Sequence, residues 1–226
     1  MKPDNDSEVD WKRLMEHLIK TMEKEAISRN APVFTLKNFL RTPFQILVFA
    51  ILSSRTRDEQ TVEVTKRLFQ RVKAPEDLLN MDVSELEEIL KGVGFYRVKA
   101  RTLKSMAEKL VEEYNSEVPR SFDELIKLPG VGRKVANVIL ADAFNQAAIG
   151  VDTHVHRISN RLGLISTKKP EETEEELRKI VPEELWNRVN KAFVGFGQTV
   201  CRPQKPLCNQ CPLESICPKV GVKVVK

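Results

Sequence analysis

A lysine, an aspartate and a glycine turn carry the chemistry legible in this chain. Leu128-Pro129-Gly130-Val131-Gly132-Arg133-Lys134 reads as a tight hairpin that opens a helix, and Asp152 follows eighteen residues after the lysine. Such a turn aims bare backbone N–H groups outward, so Gly130 and Gly132 are placed to bind a phosphate. A lysine at a helix N-terminus sits in a positive field that disfavours its ammonium form, and Arg133 adds to that field. The neutral amine is a nucleophile. A glycosidic bond to a base breaks through an oxocarbenium-like sugar, whose charge a carboxylate such as Asp152 stabilises. Attack of the amine on C1′ expels the base and leaves a Schiff base. The iminium acidifies the C2′ proton and permits elimination of the 3′ phosphate. Taken alone, Lys134 reads more simply as a phosphate contact. Asp152 also suits the N-cap of a helix opening at Val151-Asp152-Thr153-His154, a role compatible with catalysis. His154 reads as a phosphate-binding or structural residue before a general acid.

A second constellation lies near the C-terminus. All four cysteines, Cys201, Cys208, Cys211 and Cys217, fall in the last 26 residues in a C-x6-C-x2-C-x5-C pattern among four prolines. A segment of that composition builds no core of its own. Four thiolates suit a tetrahedral zinc or a [4Fe–4S] cube. Structural zinc often uses two close C-x2-C pairs, and only one is present, which favours the larger cluster over zinc. Disulfides do not fit the reducing compartment implied by the lack of an N-terminal apolar leader.

These residues need a scaffold, and its periodicity is helical. Trp11, Leu14, Met15, Leu18, Ile19, Met22 and Ala26 form one apolar stripe, and Leu103, Met106, Ala107, Leu110 and Val111 another. Thr42-Pro43 is a helix start, Asp58 a cap, Pro182 the start of a helix carrying Trp186, Val189, Phe193 and Phe196. Ser84 with Glu87 and Ser121 with Glu124 have capping-box spacing. Only Val220 to Val225 hints at a strand, so the fold class is all-α. The longest apolar run, Ile46 to Leu52, is too short to cross a bilayer and reads as a buried helix. Leu90-Lys91-Gly92-Val93-Gly94 echoes Leu128 to Gly132 at an offset of 38 residues. The net charge is only +5, but six basic residues lie between Lys91 and Lys109, while Glu171 to Glu176 holds five glutamates. One basic and one acidic face fit a polyanion partner. The acidic run itself reads as a solvated helix face.

The hairpin with Lys134, the Val151-to-His154 segment and the cysteine run, in this order and spacing, resemble the endonuclease III family of helix-hairpin-helix DNA glycosylases. The resemblance covers about Thr42 to Cys217. It implies a six-helix domain over 37–150 and a discontinuous helical domain, 1–36 with 151–226, holding a [4Fe–4S] cluster on Cys201, Cys208, Cys211 and Cys217. A DNA cleft lies between them. It implies a bifunctional glycosylase and abasic-site lyase, with Lys134 as Schiff-base lysine and Asp152 as catalytic aspartate. The substrate is double-stranded DNA from which an oxidised or ring-saturated pyrimidine is flipped out. An intracellular, cytoplasmic monomer is expected. Arg55 matches the residue that fills the gap left by the flipped base. The best-studied members carry glutamine there, a departure that bears on the base preferred opposite the lesion. Phe95, after Gly94, matches a second wedge turn. Lys205 and Arg202, in the cluster loop, are placed for the DNA backbone. Two other readings share these motifs: a glycosylase for mispaired adenine or thymine, and a non-catalytic helix-hairpin-helix DNA clamp. Relatives that act on mispairs usually lack a lysine at Lys134 or differ at Thr153, so both residues argue against the first.

Overall fold

The computed structural model describes residues 10–35, 39–56 and 58–222. Among these there are twelve α-helices, two 3₁₀ turns (Glu183–Leu185 and Cys208–Gln210) and no strand. In chain order they are α1 (Trp11–Ser28), α2 (Pro32–Thr35), α3 (Pro43–Leu52), α4 (Asp58–Leu68), α5 (Pro75–Asn80), α6 (Val83–Leu90), α7 (Tyr96–Tyr114), α8 (Phe122–Leu125), α9 (Arg133–Phe144), α10 (Thr153–Arg161), α11 (Pro170–Ile180) and α12 (Trp186–Thr199). The strand hinted at after Val220 does not form over 220–222, which is a turn; 223–225 lie outside the described residues.

Local signals set several helix starts. Thr42 Oγ1 accepts the Gln45 N–H at 3.2 Å, with Pro43 in the first turn of α3. Ser121 Oγ accepts the Glu124 N–H at 3.3 Å. The Glu124 carboxylate does not return to the cap; it bonds Tyr114 and Lys127 instead. Ser84 is not a cap, because α6 begins one residue earlier and Asp82 takes the N-cap position. α4 begins at Asp58, whose side chain lies outside the described residues, as does the expected capping contact.

Two large apolar cores organise the molecule, with a small third cluster of Ala26, Ala31, Val33 and Val194 beside them. The first draws on α3 to α9, including Leu47, Leu52, Leu68, Leu90, Leu103, Leu110, Leu125 and Ile139. The second joins Met15, Leu18, Ile19 and Met22 of α1 to Val155, Leu177, Val189, Phe193 and Phe196 from α10, α11 and α12. The chain leaves the first core at Ala148 and enters the second at Ile149. The apolar stripe of α1 thus faces α12, from the other end of the chain.

Because Ile19 is fully buried in the second core, Ile19→Ala is expected to cost about 2–5 kcal/mol, the usual range for emptying such a site. A urea denaturation midpoint indistinguishable from wild type would contradict that packing.

Candidate active site

The glycine hairpin runs from α8 to α9. Gly130 has φ +81°, a left-handed conformation that suits glycine, and a Cβ there would meet Thr102 Cγ2 at 2.5 Å. The Val131 N–H closes the turn on Leu128 O at 3.1 Å. Gly132 is the N-cap of α9, with open space where a Cβ would stand. The same turn recurs between α6 and α7, where Gly92 has φ +113° and Val93 N–H donates to Leu90 O at 3.2 Å. In the second copy the helix starts directly after Gly132. In the first, Phe95 intervenes as a left-handed N-cap with φ 58°.

Lys134 is the second residue of α9. Asp152 is the N-cap of α10: its Oδ1 accepts the N–H groups of His154 and Val155 at 2.8 and 2.9 Å. Oδ2 takes part in neither bond. The segment carrying Asp152 reaches α9 through Gly150. A Cβ on Gly150 would fall 2.6 Å from Val138 Cγ2 and 3.5 Å from Lys134 O, so only a bare backbone approaches this closely. Asn190 of α12 fixes the approach by donating to Gly150 O at 2.6 Å. Lys134 and Asp152 consequently line one cleft of about 540 Å³, with Arg55, His154, Phe49, Val151 and Gln198 among its walls.

Other expected residues lie outside that lining. Phe95 is 63% exposed, which excludes core packing, and it stands beside Arg55, whose Cζ is 5.8 Å from its ring centroid. Lys205 is exposed on the cysteine loop with φ 49°. Arg133 turns away. Its Nε and Nη2 donate to the Glu174 carboxylate at 2.7 and 3.1 Å, and Arg178 reaches the same carboxylate at 2.9 Å. The carboxylate holds the Arg133 guanidinium pKa above its usual value. Glu174 is 2% exposed, which corrects the reading of the acidic run as a wholly solvated face. The basic run is likewise thinner at the surface than its count: Lys99 and Lys104 spend their ammonium groups on backbone carbonyls.

His154 lies between the two centres. Its Nδ1 faces Arg157 Nη2 at 3.1 Å, and the same nitrogen of Arg157 donates to Cys201 O at 2.9 Å. Arg161 points Nη1 at Cys201 Sγ (3.5 Å) and donates to Arg202 O at 2.7 Å. Helix α10 thus ties Asp152 to the cysteine loop. All four cysteines are free thiols lining a common pocket with Ile158, Leu162, Phe196 and Val200. Burial pushes the Cys211 thiol up to about 11 and raises Cys217 as well. Among the described residues no three His, Cys, Asp or Glu side chains are drawn together closely enough to hold a metal ion.

Residues 48–183 match the model of the HhH-GPD superfamily of base excision DNA repair proteins. Endonuclease III of Thermotoga maritima is 44% identical over 200 residues, covering 88% of this chain and 92% of its own. That of Bacillus subtilis is 44% identical over 176 residues, 77% of this chain and 80% of its own. The chain belongs to the endonuclease III family. A solved non-covalent endonuclease III–DNA complex superposes with a TM-score of 0.82 at 38% identity, covering 92% of this chain and 95% of the other. As a member of that family the protein binds DNA and is a base excision repair glycosylase and abasic-site lyase. No helix among the described residues is long and apolar enough to cross a membrane.

Sequence reasoning missed Gly150, Glu174 and Lys99. Two of them had a signal. Glu174 is three residues before the buried Leu177, and Lys99 is four before Leu103, so each lies on the apolar stripe of its helix. Gly150 stands among apolar residues with no pattern to mark it. Gly150→Ala is expected to force Asp152 away from α9 and slow single-turnover excision by about tenfold to a hundredfold, the cost of a misplacement near 1 Å. Binding of undamaged duplex would stay near wild type. An unchanged excision rate would show that the close approach does not set the geometry.

Proposed function

We propose that this protein removes oxidised or ring-saturated pyrimidines from duplex DNA and cuts the strand 3′ to the site by β-elimination. The observation that carries the reading is the shared cleft of Lys134 and Asp152, which lies within the common range of ligand pockets, about 300–1,000 Å³. The flipped nucleotide occupies the cleft. Asp152 faces the sugar and offsets the positive charge that develops as the C1′–N bond lengthens. The Lys134 amine bonds to C1′, the bonding pair leaves with the base, and the opened sugar becomes an iminium. Loss of the C2′ proton then expels the 3′ phosphate. The open backbone at Gly130 and Gly132 and the side chain of His154 hold phosphates on either side. Arg55 and Phe95 fill the space vacated in the stack, and Lys205 lies along the backbone. Arg133 contributes less to DNA than its charge suggests, because Glu174 already holds it.

We read the chain as two domains, 37–150 and 1–36 with 151–226; the two cores support this division in outline, with Ile149 already in the second core, and the 36/37 boundary falls outside the described residues. The pocket of four free cysteines fits a [4Fe–4S] group, with Cys201, Cys208, Cys211 and Cys217 as its thiolates. One close C-x2-C pair with two wider intervals suits a cube of four irons better than one zinc. The group would supply a rigid anchor for a loop without a core. We read the protein as a monomer, and a reducing intracellular compartment as a setting in which four free thiols persist.

Borohydride reduction in the presence of abasic duplex should trap a covalent adduct, and Lys134→Ala should abolish it. An adduct of undiminished yield in the variant would remove Lys134 from the mechanism. Asp152→Asn should lower base excision by about a hundredfold or more while duplex binding persists, as for loss of an interaction made only in the transition state. At the cysteine loop, Lys205→Glu should weaken DNA binding and flatten its salt dependence. An unaltered salt slope would place Lys205 away from the phosphates.

A further inference from the structure

The loop bearing Arg55 and the turn bearing Phe95 meet on a side chain that the proposed chemistry does not use. Lys99, in the first turns of α7, is only 6% exposed. Its Nζ donates to Leu52 O at 2.8 Å, Ser54 O at 2.6 Å and Thr56 Oγ1 at 2.9 Å. An ammonium has three N–H donors and a neutral amine two, so these three oxygens match the charged form. None of the three partners is a carboxylate, and burial pushes the Lys99 pKa down to about 8. A cation is therefore kept inside the protein to hold one stretch of backbone.

That stretch brackets Arg55. Leu52 and Ser54 precede it, Thr56 follows it, and Arg55 itself is left-handed at φ 54°. Such a conformation is uncommon in a non-glycine residue and persists only where its surroundings impose it. The clamp extends to the second wedge. Thr56 Oγ1, already bound to Lys99, accepts the Gly94 N–H at 3.0 Å. A Cβ on Gly94 would stand 2.8 Å from Arg55 O, so the two segments touch through bare backbone. The next residue is Phe95, also left-handed, with Arg55 near its ring.

We propose that Lys99 is a positioning residue that mounts Arg55 and Phe95 as one composite wedge, its ammonium fixing the backbone around Arg55 and, through Thr56, docking it onto the Phe95 turn. The proposal rests on the reading of Arg55 and Phe95 as the residues that enter the duplex. Within it, the departure from glutamine at position 55 has a structural consequence. The arginine is held beside an aromatic ring, and the two probe the base opposite the lesion together.

The test uses the full-length protein and a duplex with 2-aminopurine opposite a tetrahydrofuran abasic analogue, whose fluorescence rises when the base is unstacked. Wild type should raise the signal and Arg55→Ala should lower it. Lys99→Met and Thr56→Val should each remove about half of the rise or more and slow single-turnover excision about tenfold, with affinity for undamaged duplex within about twofold of wild type. Thr56→Ser, which keeps the hydroxyl, should restore both. In an Arg55→Ala background, Lys99→Met should add little, because the two act as one unit. Should Lys99→Met fail to fold, the two Thr56 variants decide the matter alone. A wild-type signal in Lys99→Met or in Thr56→Val, or effects of Lys99→Met and Arg55→Ala that multiply in full, would overturn the proposal. A wild type that excises bases with no fluorescence change would instead sink the wedge reading itself, and this proposal with it.

Discussion

The cleft depends on how closely one extended segment can lie against one helix. Lys134 belongs to a helix of the first core, and Asp152 caps a helix of the second. The two are brought to a common space because the chain crosses from core to core beside α9, and because Gly150 carries no side chain to hold it off. The hydrogen bond from Asn190 secures that crossing. The Arg133–Glu174–Arg178 cluster joins α9 of the first core to α11 of the second. A buried carboxylate with two guanidinium partners has its charge answered. Its removal would leave two cations facing each other, which is why such a cluster acts as a fastening even where its net contribution to stability is small.

Helix positions were legible from periodicity, since a stripe such as Met15, Leu18, Ile19 and Met22 has one way to be covered. The hairpin was legible because a glycine turn is a local device, and Asp152 because an N-cap is one too. The cysteine run declared itself by spacing. What stayed hidden was the use to which charge is put. Glu174 sits in a run of glutamates that composition assigns to solvent, and Lys99 in a run of cations that composition assigns to a polyanion. Each is spent inside the protein, Glu174 against Arg178 and against Arg133 41 residues away, and Lys99 against partners 43 to 47 residues away. Counting charge along a chain overstates the charge on its surface wherever an apolar stripe passes through the run. The capping-box spacing at Ser84 misled because the helix starts one residue earlier: Asp82 takes the N-cap position without a side-chain cap bond, and the buried Leu86, Ile89 and Leu90 lie on the face of the longer helix.

Left-handed backbone occurs at eight non-glycine residues among those described, including the C-cap asparagines Asn115 and Asn145 as well as the three residues proposed to meet DNA. Arg55, Phe95 and Lys205 all have left-handed backbones and all lie in loops or at helix starts. The Arg55 and Phe95 pair is braced by Lys99, Thr56 and Gly94, and the cysteine loop by Arg161 and Arg157. Loops braced in advance lose little freedom on binding, so contacts made with a duplex are not spent on ordering the protein.

The second core is closed by its two most distant pieces, α1 and α12. During synthesis the hairpin and its lysine leave the ribosome while the partner helix of α1 is still unmade. Until α12 arrives, the apolar stripe of α1 has nothing to cover it, and Gly150 lacks the Asn190 that seats it. A nascent chain thus presents Lys134 before the segment carrying Asp152 is seated against α9. The cleft is therefore completed only once α12 is made, and a chain stopped short of α12 keeps an uncovered apolar stripe, which favours aggregation.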